Sequence, residues 1–129
     1  MRFFVDGLPV AQARPRFARL GNHVKAYDPA KSKNWKAYVA TIATSKGVRV
    51  QEGALRLSVS FHFLKPKSAK KRVHHTVKPD LDNLVKAIQD ALKGIAWKDD
   101  SQVVELEAAK YYSPDPGVHV EVVGIAEEF

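Results

Sequence analysis

The alternation of apolar and polar residues is most regular between residues 55 and 63. Every odd-numbered position there is leucine, valine or phenylalanine, and the even-numbered positions carry arginine, serine or histidine. A period of two is typical of a strand that buries one face. The pattern therefore predicts a half-buried strand at the centre of the chain.

Two other segments repeat at the spacing of a helix. The first is predicted to have Asp28 as its N-cap and Pro29 as its first helical residue, and to close at Lys46-Gly47. Its apolar face comprises Trp35, Tyr38, Val39, Ile42 and Ala43. The second is predicted over residues 83–93, where Gly94 ends a stripe of Leu84, Ile88, Ala91 and Leu92.

The remaining segments are predicted to form strands, apart from one that is a hairpin or an ordered loop. Residues 2–5 are rich in strand-forming side chains, residues 17–27 suggest a hairpin or ordered loop, and residues 102–112 and 118–125 flank a Pro-Asp-Pro-Gly turn. The order β, hairpin, α, β, α, β, β predicts an α+β fold, in which a mixed sheet carries both helices on one face in two layers. We expect one domain over residues 1–129.

Composition narrows the class of protein. The chain has 129 residues, 45% of them hydrophobic, and no cysteine, which excludes disulfides and thiolate metal sites. No apolar run approaches the roughly 20 residues of a membrane span, and the first residues do not resemble a signal peptide. We expect a cytoplasmic protein without a membrane partner.

Charge is divided unevenly along the chain. The net charge is +7, but residues 1–79 hold 17 lysines and arginines against three acids, whereas residues 80–129 hold four lysines against 11 acids. A basic surface suits the phosphates of a nucleic acid. An acidic cluster beside it suits a metal ion. The division therefore favours a DNA-binding protein with a metal site.

The basic residues that we predict to contact DNA phosphates form two groups, Arg14, Arg16 and Arg19, and Lys67, Lys70, Lys71, Arg72 and Lys78. Lysine and arginine on loops commonly hold phosphates by charge without reading bases. The alternative is a solubilising loop. We favour DNA contact because both groups and the acidic segment agree.

Asp80 and Asp82 stand two residues apart, directly after the second basic group. If residues 79–82 are extended, both carboxylates point to one side, about 6.5 Å apart. Such a pair is readily compensated by Mg²⁺, which takes oxygen ligands. The alternative is a turn or a helix cap, with Asp82 or Asn83 as N-cap. Asp-x-Asp alone favours the cap.

A second acidic pair, Asp99-Asp100, follows the predicted helix. One helix and a short return are expected to bring it back beside Asp80 and Asp82, giving an oxygen site for phosphodiester hydrolysis. Lys86, four residues after Asp82, is expected to reach the same site and to stabilise transition-state charge or help to orient the attacking water. The alternatives are a solvated turn and an exposed lysine.

A longer pattern adds to these observations. It consists of Asp80-Leu81-Asp82-Asn83-Leu84, Lys86-Ala87, Asp90-Ala91-Leu92, Gly94, Trp97 and Asp99-Asp100-x-Gln102-Val103-Val104. This ordered series resembles the core of the RusA family of Holliday junction resolvases. Gln12-Ala13-Arg14-Pro15-Arg16-Phe17 is similar to an Arg-Pro-Arg element of phage-type members.

The resemblance implies a homodimer that binds four-way junction DNA and makes paired nicks with Mg²⁺ or Mn²⁺. It implies catalytic and metal-binding roles for Asp80, Asp82 and one of Asp99 and Asp100, and a functional role for Lys86. Asp100 is favoured because it aligns with the third aspartate of the family. The connection before Asp99 is one residue shorter than in the best-known member, so Asp99 stays an alternative.

Two other functions fit the same residues. One is a nuclease of the same chemistry that acts on other branched or single-stranded DNA. The other is a DNA-binding module without activity, in which the carboxylates serve only as caps and turns.

Overall fold

The computed structural model describes residues 1–69 and 71–127. Its elements, in chain order, are β1 (Arg2–Asp6), β2 (Arg16–Leu20), β3 (His23–Tyr27), α1 (Ala30–Ser45), β4 (Leu55–Phe63), α2 (Leu81–Leu92), β5 (Val103–Tyr112) and β6 (Gly117–Gly124). Short 3₁₀ turns lie at Lys67–Ala69 and Asp100–Gln102. The predicted α+β order is confirmed. Lys70, a predicted DNA contact, lies outside the described residues.

Four strands form one mixed sheet in the order β1-β6-β4-β5. β4 pairs antiparallel with β6 and parallel with β5, so the half-buried strand predicted from alternation is central. Its odd-numbered side chains are buried with those of both helices in one core. The helices therefore cover one face of the sheet, as expected, and β5 lies at one edge.

The start of α1 differs from the prediction. Its N-cap is Pro29, and the helix begins at Ala30. Asp28 does not cap the helix, because its carboxylate lies 2.7 Å from the Lys36 ammonium. The predicted end is confirmed, since Lys46 is the C-cap and Gly47 has a φ of +79°.

α2 begins two residues earlier than the pattern predicted. Asp80 is its N-cap and Leu81 its first residue, so Asp82 and Asn83 are not N-caps. Leu81 packs partly against the core, one turn before the buried Leu84 and Val85. No helix in the described part of the chain is long and apolar enough to cross a membrane.

The hairpin of β2 and β3 stands apart from the main sheet as a two-stranded sheet of its own. It exposes four large apolar side chains, Phe17, Leu20, Val24 and Tyr27, together with Arg16, Arg19 and Lys25. A hairpin whose apolar residues face solvent gains little from burial and is marginal by itself. It therefore extends the basic surface without adding to the core.

Candidate metal and DNA-binding site

Asp80 and Asp82 lie together at the N-terminal end of α2. Asp80 has extended backbone angles but its carboxylate makes no capping hydrogen bond, and Asp82 is in the first helical turn. The predicted extended geometry over residues 79–82 is therefore wrong. Both carboxylates are exposed, and neither pairs with a cation within residues 1–69 and 71–127. Two like charges so placed are available to a ligand.

The backbone before Asp80 is anchored from β5. The Lys110 ammonium donates to the carbonyl oxygens of Val77 at 2.9 Å and Pro79 at 2.8 Å. Charge-assisted hydrogen bonds of this kind are stronger than neutral ones. Lys110 therefore positions Asp80. One signal for this role is present in the sequence. Lys110 is expected on the same face of its strand as Ala108 and Tyr112, which pack against the core.

Residues 8–16 form an arm that is fastened to both helices. The backbone N–H of Gln12 donates to the Asn83 carbonyl at 2.9 Å, and the Gln12 side-chain oxygen accepts from Lys36 at 2.9 Å. Lys36 also lies 2.7 Å from Asp28 and 3.6 Å from Asp90. The hydrogen bond from Lys36 is the main reason that the pKa of Asp28 is lowered. The motif residue Asp90 is thus part of this fastening.

A groove with a volume of about 890 Å³ runs between this arm and the N-terminal end of α2. Asp80 lines it, together with the predicted DNA contacts Arg14, Arg16 and Lys78. Lys31, which the sequence analysis did not single out, lines it as well. The structure therefore gathers three predicted phosphate contacts around one predicted metal ligand.

Four other predicted DNA contacts, all within the described residues, do not line this groove. Arg19 is exposed on β2, and Lys67, Lys71 and Arg72 are exposed on the segment that follows β4. Lys86 is exposed on α2, one turn after Asp82 and on the same side of the helix.

The Asp99-Asp100 segment forms a hydrogen-bonded turn beyond the C-terminal end of α2. Asp99 is its N-cap and accepts from the Ser101 N–H at 3.1 Å, a bond that lowers the pKa of Asp99. The buried Trp97 indole donates to Asp100 Oδ1 at 2.7 Å. Asp99 thus caps a turn, as in the alternative in which the carboxylates serve as caps and turns. The second carboxylate oxygen of Asp100 has no hydrogen bond among the described residues.

Gln102 fastens this turn to the rest of the molecule. Its side-chain oxygen accepts from the N–H groups of Lys98 at 2.9 Å and Asp99 at 3.0 Å. Its side-chain nitrogen donates to the carbonyls of Gln51 at 2.9 Å and Gly53 at 3.1 Å. The glutamine of the Asp-Asp-x-Gln motif is therefore a structural residue.

The two carboxylate groups lie at opposite ends of α2. The helix has 12 residues, which at 1.5 Å per residue is about 18 Å. The expectation that a short return brings Asp99-Asp100 beside Asp80 and Asp82 is therefore wrong within one chain. In the described residues, no three histidine, aspartate or glutamate side chains are grouped so that they could hold a metal ion.

Comparison with known proteins gives two kinds of match. The family model described as Endodeoxyribonuclease RusA matches residues 6–123. The uncharacterized protein YqaN of Bacillus subtilis (strain 168) is 41% identical over 132 residues, covering 93% of each chain. The crossover junction endodeoxyribonuclease rusA of Lactococcus phage r1t is 26% identical over 125 residues, covering 95% of each chain.

Proposed function

The chain belongs to the Endodeoxyribonuclease RusA family, and from this premise we propose that it resolves four-way DNA junctions by paired symmetric nicks that require Mg²⁺ or Mn²⁺. The phage relative that covers 95% of the chain carries the name of a crossover junction enzyme. The observation that carries the proposal is the exposed pair Asp80 and Asp82 beside a basic groove, since within the described residues their carboxylates make no capping hydrogen bond and no ion pair.

The residues at this end of α2 fit a hard divalent cation. Mg²⁺ takes oxygen ligands, usually one or two carboxylates with water and phosphate completing the shell. Asp80 and Asp82 would hold it, and the Lys110 anchor keeps Asp80 in place. When bound, the metal lowers the pKa of a water ligand and neutralises charge on the phosphate.

The remaining roles belong to the cations. Arg14, Arg16 and Lys78 would bind the phosphates on either side of the cut, because they line the groove that contains Asp80. Lys86 would stabilise the charge that develops on the phosphate, since it lies one turn from Asp82. Arg19, Lys67, Lys71 and Arg72 would hold more distant phosphates of the junction arms, and Lys70 stays a predicted phosphate contact.

A nicking assay on a synthetic four-way junction, with and without Mg²⁺, tests this function. We expect paired symmetric nicks from the wild type and none from Asp82→Asn, which keeps the shape of the side chain and removes its charge. Binding without nicks in Mg²⁺ or Mn²⁺ would leave a DNA-binding module. Equal cutting of splayed or single-stranded DNA would leave a broader nuclease.

The homodimer expected for this family offers a place for Asp100. Strand β5 is at the sheet edge, where residues 73–75 cover only its end near Lys110 and Tyr112. No other described residue pairs with the edge at residues 103–109, which exposes Val104 and Leu106. We propose that two copies pair antiparallel along this edge, about a twofold axis.

Such pairing has a consequence for the site. The start of one β5 would lie beside the end of the other, where Lys110 anchors the backbone before Asp80. Asp100 of one protomer would then approach Asp80 and Asp82 of its partner. Each dimer would contain two composite sites, which suits two cuts in a junction of twofold symmetry.

Charge at the β5 edge tests this interface. Leu106→Lys, at a side chain that is 49% exposed, is expected to give a monomer in analytical ultracentrifugation and to abolish nicking. The matched control is Val24→Lys, at a side chain that is 66% exposed on the separate β2–β3 hairpin. A dimeric and active Leu106→Lys protein would rule this interface out.

A further inference from the structure

The groove beside Asp80 has the chemistry of a pocket for a single unstacked base. Apolar side chains of the arm and two prolines outside it line one wall of the groove. They are Leu8, Pro9, Val10, Ala11, Pro29 and Pro79. A volume of about 890 Å³ lies within the range of small-molecule sites, roughly 300–1,000 Å³. A volume of this size suits one nucleotide.

One polar group faces this apolar wall from inside the protein. Ser32 lines the groove and is 1% exposed. Its hydroxyl is near enough to Asp28 to contribute to the lowered pKa of that carboxyl. No group in residues 1–69 and 71–127 is in hydrogen-bonding geometry with Ser32 Oγ, however. A buried hydroxyl without a partner is costly, and a ligand that bonds to it removes the cost.

The rim of the groove is basic. Arg14, Arg16, Lys31 and Lys78 are exposed there, and none of them pairs with an acid in the described part of the chain. Among the described residues, Asp80 is the only acid that lines the groove. The cations match the phosphates on both sides of a nucleotide, and the apolar wall matches its base.

The groove is also held open before any ligand arrives. Gln12 fixes the arm against both helices, because its N–H donates to the Asn83 carbonyl and its side-chain oxygen accepts from Lys36. Phe63, which lines the groove, is stacked on His75 with ring centroids 3.9 Å apart. A preformed site does not spend binding free energy on ordering its walls.

We propose that a nucleotide at the branch point leaves its stack and places its base in this groove, with Ser32 Oγ bonding to its edge. The inference rests on the proposed junction-binding function. Enzymes that flip a base out of a duplex gain selectivity in this way, since unstacking is least costly where pairing is already disturbed. The base in the groove would set the sequence preference of the cut beside Asp80.

The test uses four-way junctions that carry 2-aminopurine singly at each nucleotide around the branch point. Binding is measured with the full-length protein in Ca²⁺, so that the readout does not depend on nicking. We expect several-fold brightening at one position per binding site, because an unstacked 2-aminopurine is no longer quenched. Ala13→Leu, which narrows the groove, is expected to remove most of this signal and leave junction affinity within a few-fold.

The matched control is Ala40→Leu, at another half-buried alanine, on α1 away from the groove. It should brighten as the wild type does. Ser32→Ala is expected to reduce the difference in affinity between the four bases at that position. Nicking by a protein that brightens no position would overturn the pocket and leave the nuclease standing. Equal brightening by Ala13→Leu would overturn it too, whereas brightening without nicking would contradict only the nuclease.

Discussion

The two ends of α2 use the same residue type in opposite ways. At the N-terminal end, Asp80 and Asp82 make no capping bond and no ion pair in the described part of the chain. At the C-terminal end, Asp99 caps a turn and Asp100 accepts the Trp97 indole N–H. A motif of aspartates therefore does not form one site by itself. The hydrogen bonds of each aspartate show whether it stabilises the fold or is available to a ligand.

The largest expected effect separates the neighbours Asp99 and Asp100. Asp100→Asn keeps an acceptor for Trp97 but removes the charge, so we expect nicking to fall by about 10³-fold, because metal-based charge stabilisation is worth several kcal/mol. Asp99→Asn keeps a capping side chain and should nick as the wild type does. Single-turnover rates on a labelled junction measure both. The opposite pattern would make Asp99 the third ligand.

The next effect concerns stability alone. Gln102→Ala removes four hydrogen bonds of the turn, and we expect the free energy of unfolding to fall by about 2–4 kcal/mol, at about 1 kcal/mol for each bond. Urea titration measures it. Gln89→Ala, on the partly exposed side of α2, is the control and should change little. An unchanged Gln102→Ala protein would mean that the turn is held by other contacts.

A smaller effect is expected at Lys110, which holds the backbone before Asp80 at the N-terminal end of α2. Lys110→Met removes the two bonds to the backbone before Asp80. We expect a loss of about tenfold in nicking at low Mg²⁺, since changes to residues that orient a metal ligand cost about 10–100-fold in metal affinity or activity. Saturating Mg²⁺ should restore most of the rate. A rate that stays low at every Mg²⁺ concentration would contradict a positioning role for Lys110.

The smallest effect is a dependence of stability on pH. Burial is the main cause that lowers the pKa of His75 below its ordinary value of 6.5, and nearby Lys110 adds to it. The folded state resists protonation, so the stabilisation is complete above pH 6.5 and is lost as the pH falls through that value. Urea midpoints between pH 7.5 and 5 should drop less for His75→Phe than for the wild type. The control His74→Phe, at an exposed position, should follow the wild type.

Local patterns predicted much of this fold because they record burial. The alternation in β4 and the stripe in α2 both reflect which side chains face the core. The start of α2 was misplaced because Asp80 and Asp82 interrupt the apolar stripe, although Leu81 continues it one turn earlier. Asp28 was misassigned because its ion pair with Lys36 is a tertiary contact with no local signature.

The site was only partly predictable for a related reason. The composition and spacing around Asp80 indicated metal and phosphate chemistry, and the structure places Arg14, Arg16 and Lys78 around the same groove. The position of Asp100 was predicted wrongly, because the short turn after α2 leaves Asp100 near the C-terminal end of that helix. Strand β5 then runs toward the N-terminal end of α2, where Lys110 contacts the backbone before Asp80.

A site shared between two protomers is tested most directly by mixing two inactive proteins. Asp82→Asn and Asp100→Asn protomers, separately tagged, are refolded together and the heterodimer is purified. Composite sites leave one site with both defects and the other intact, so we predict single nicks in four-way junctions at about half the wild-type number of cuts per dimer. A heterodimer with no nicks at all, beside an active wild type, would contradict a site shared between protomers.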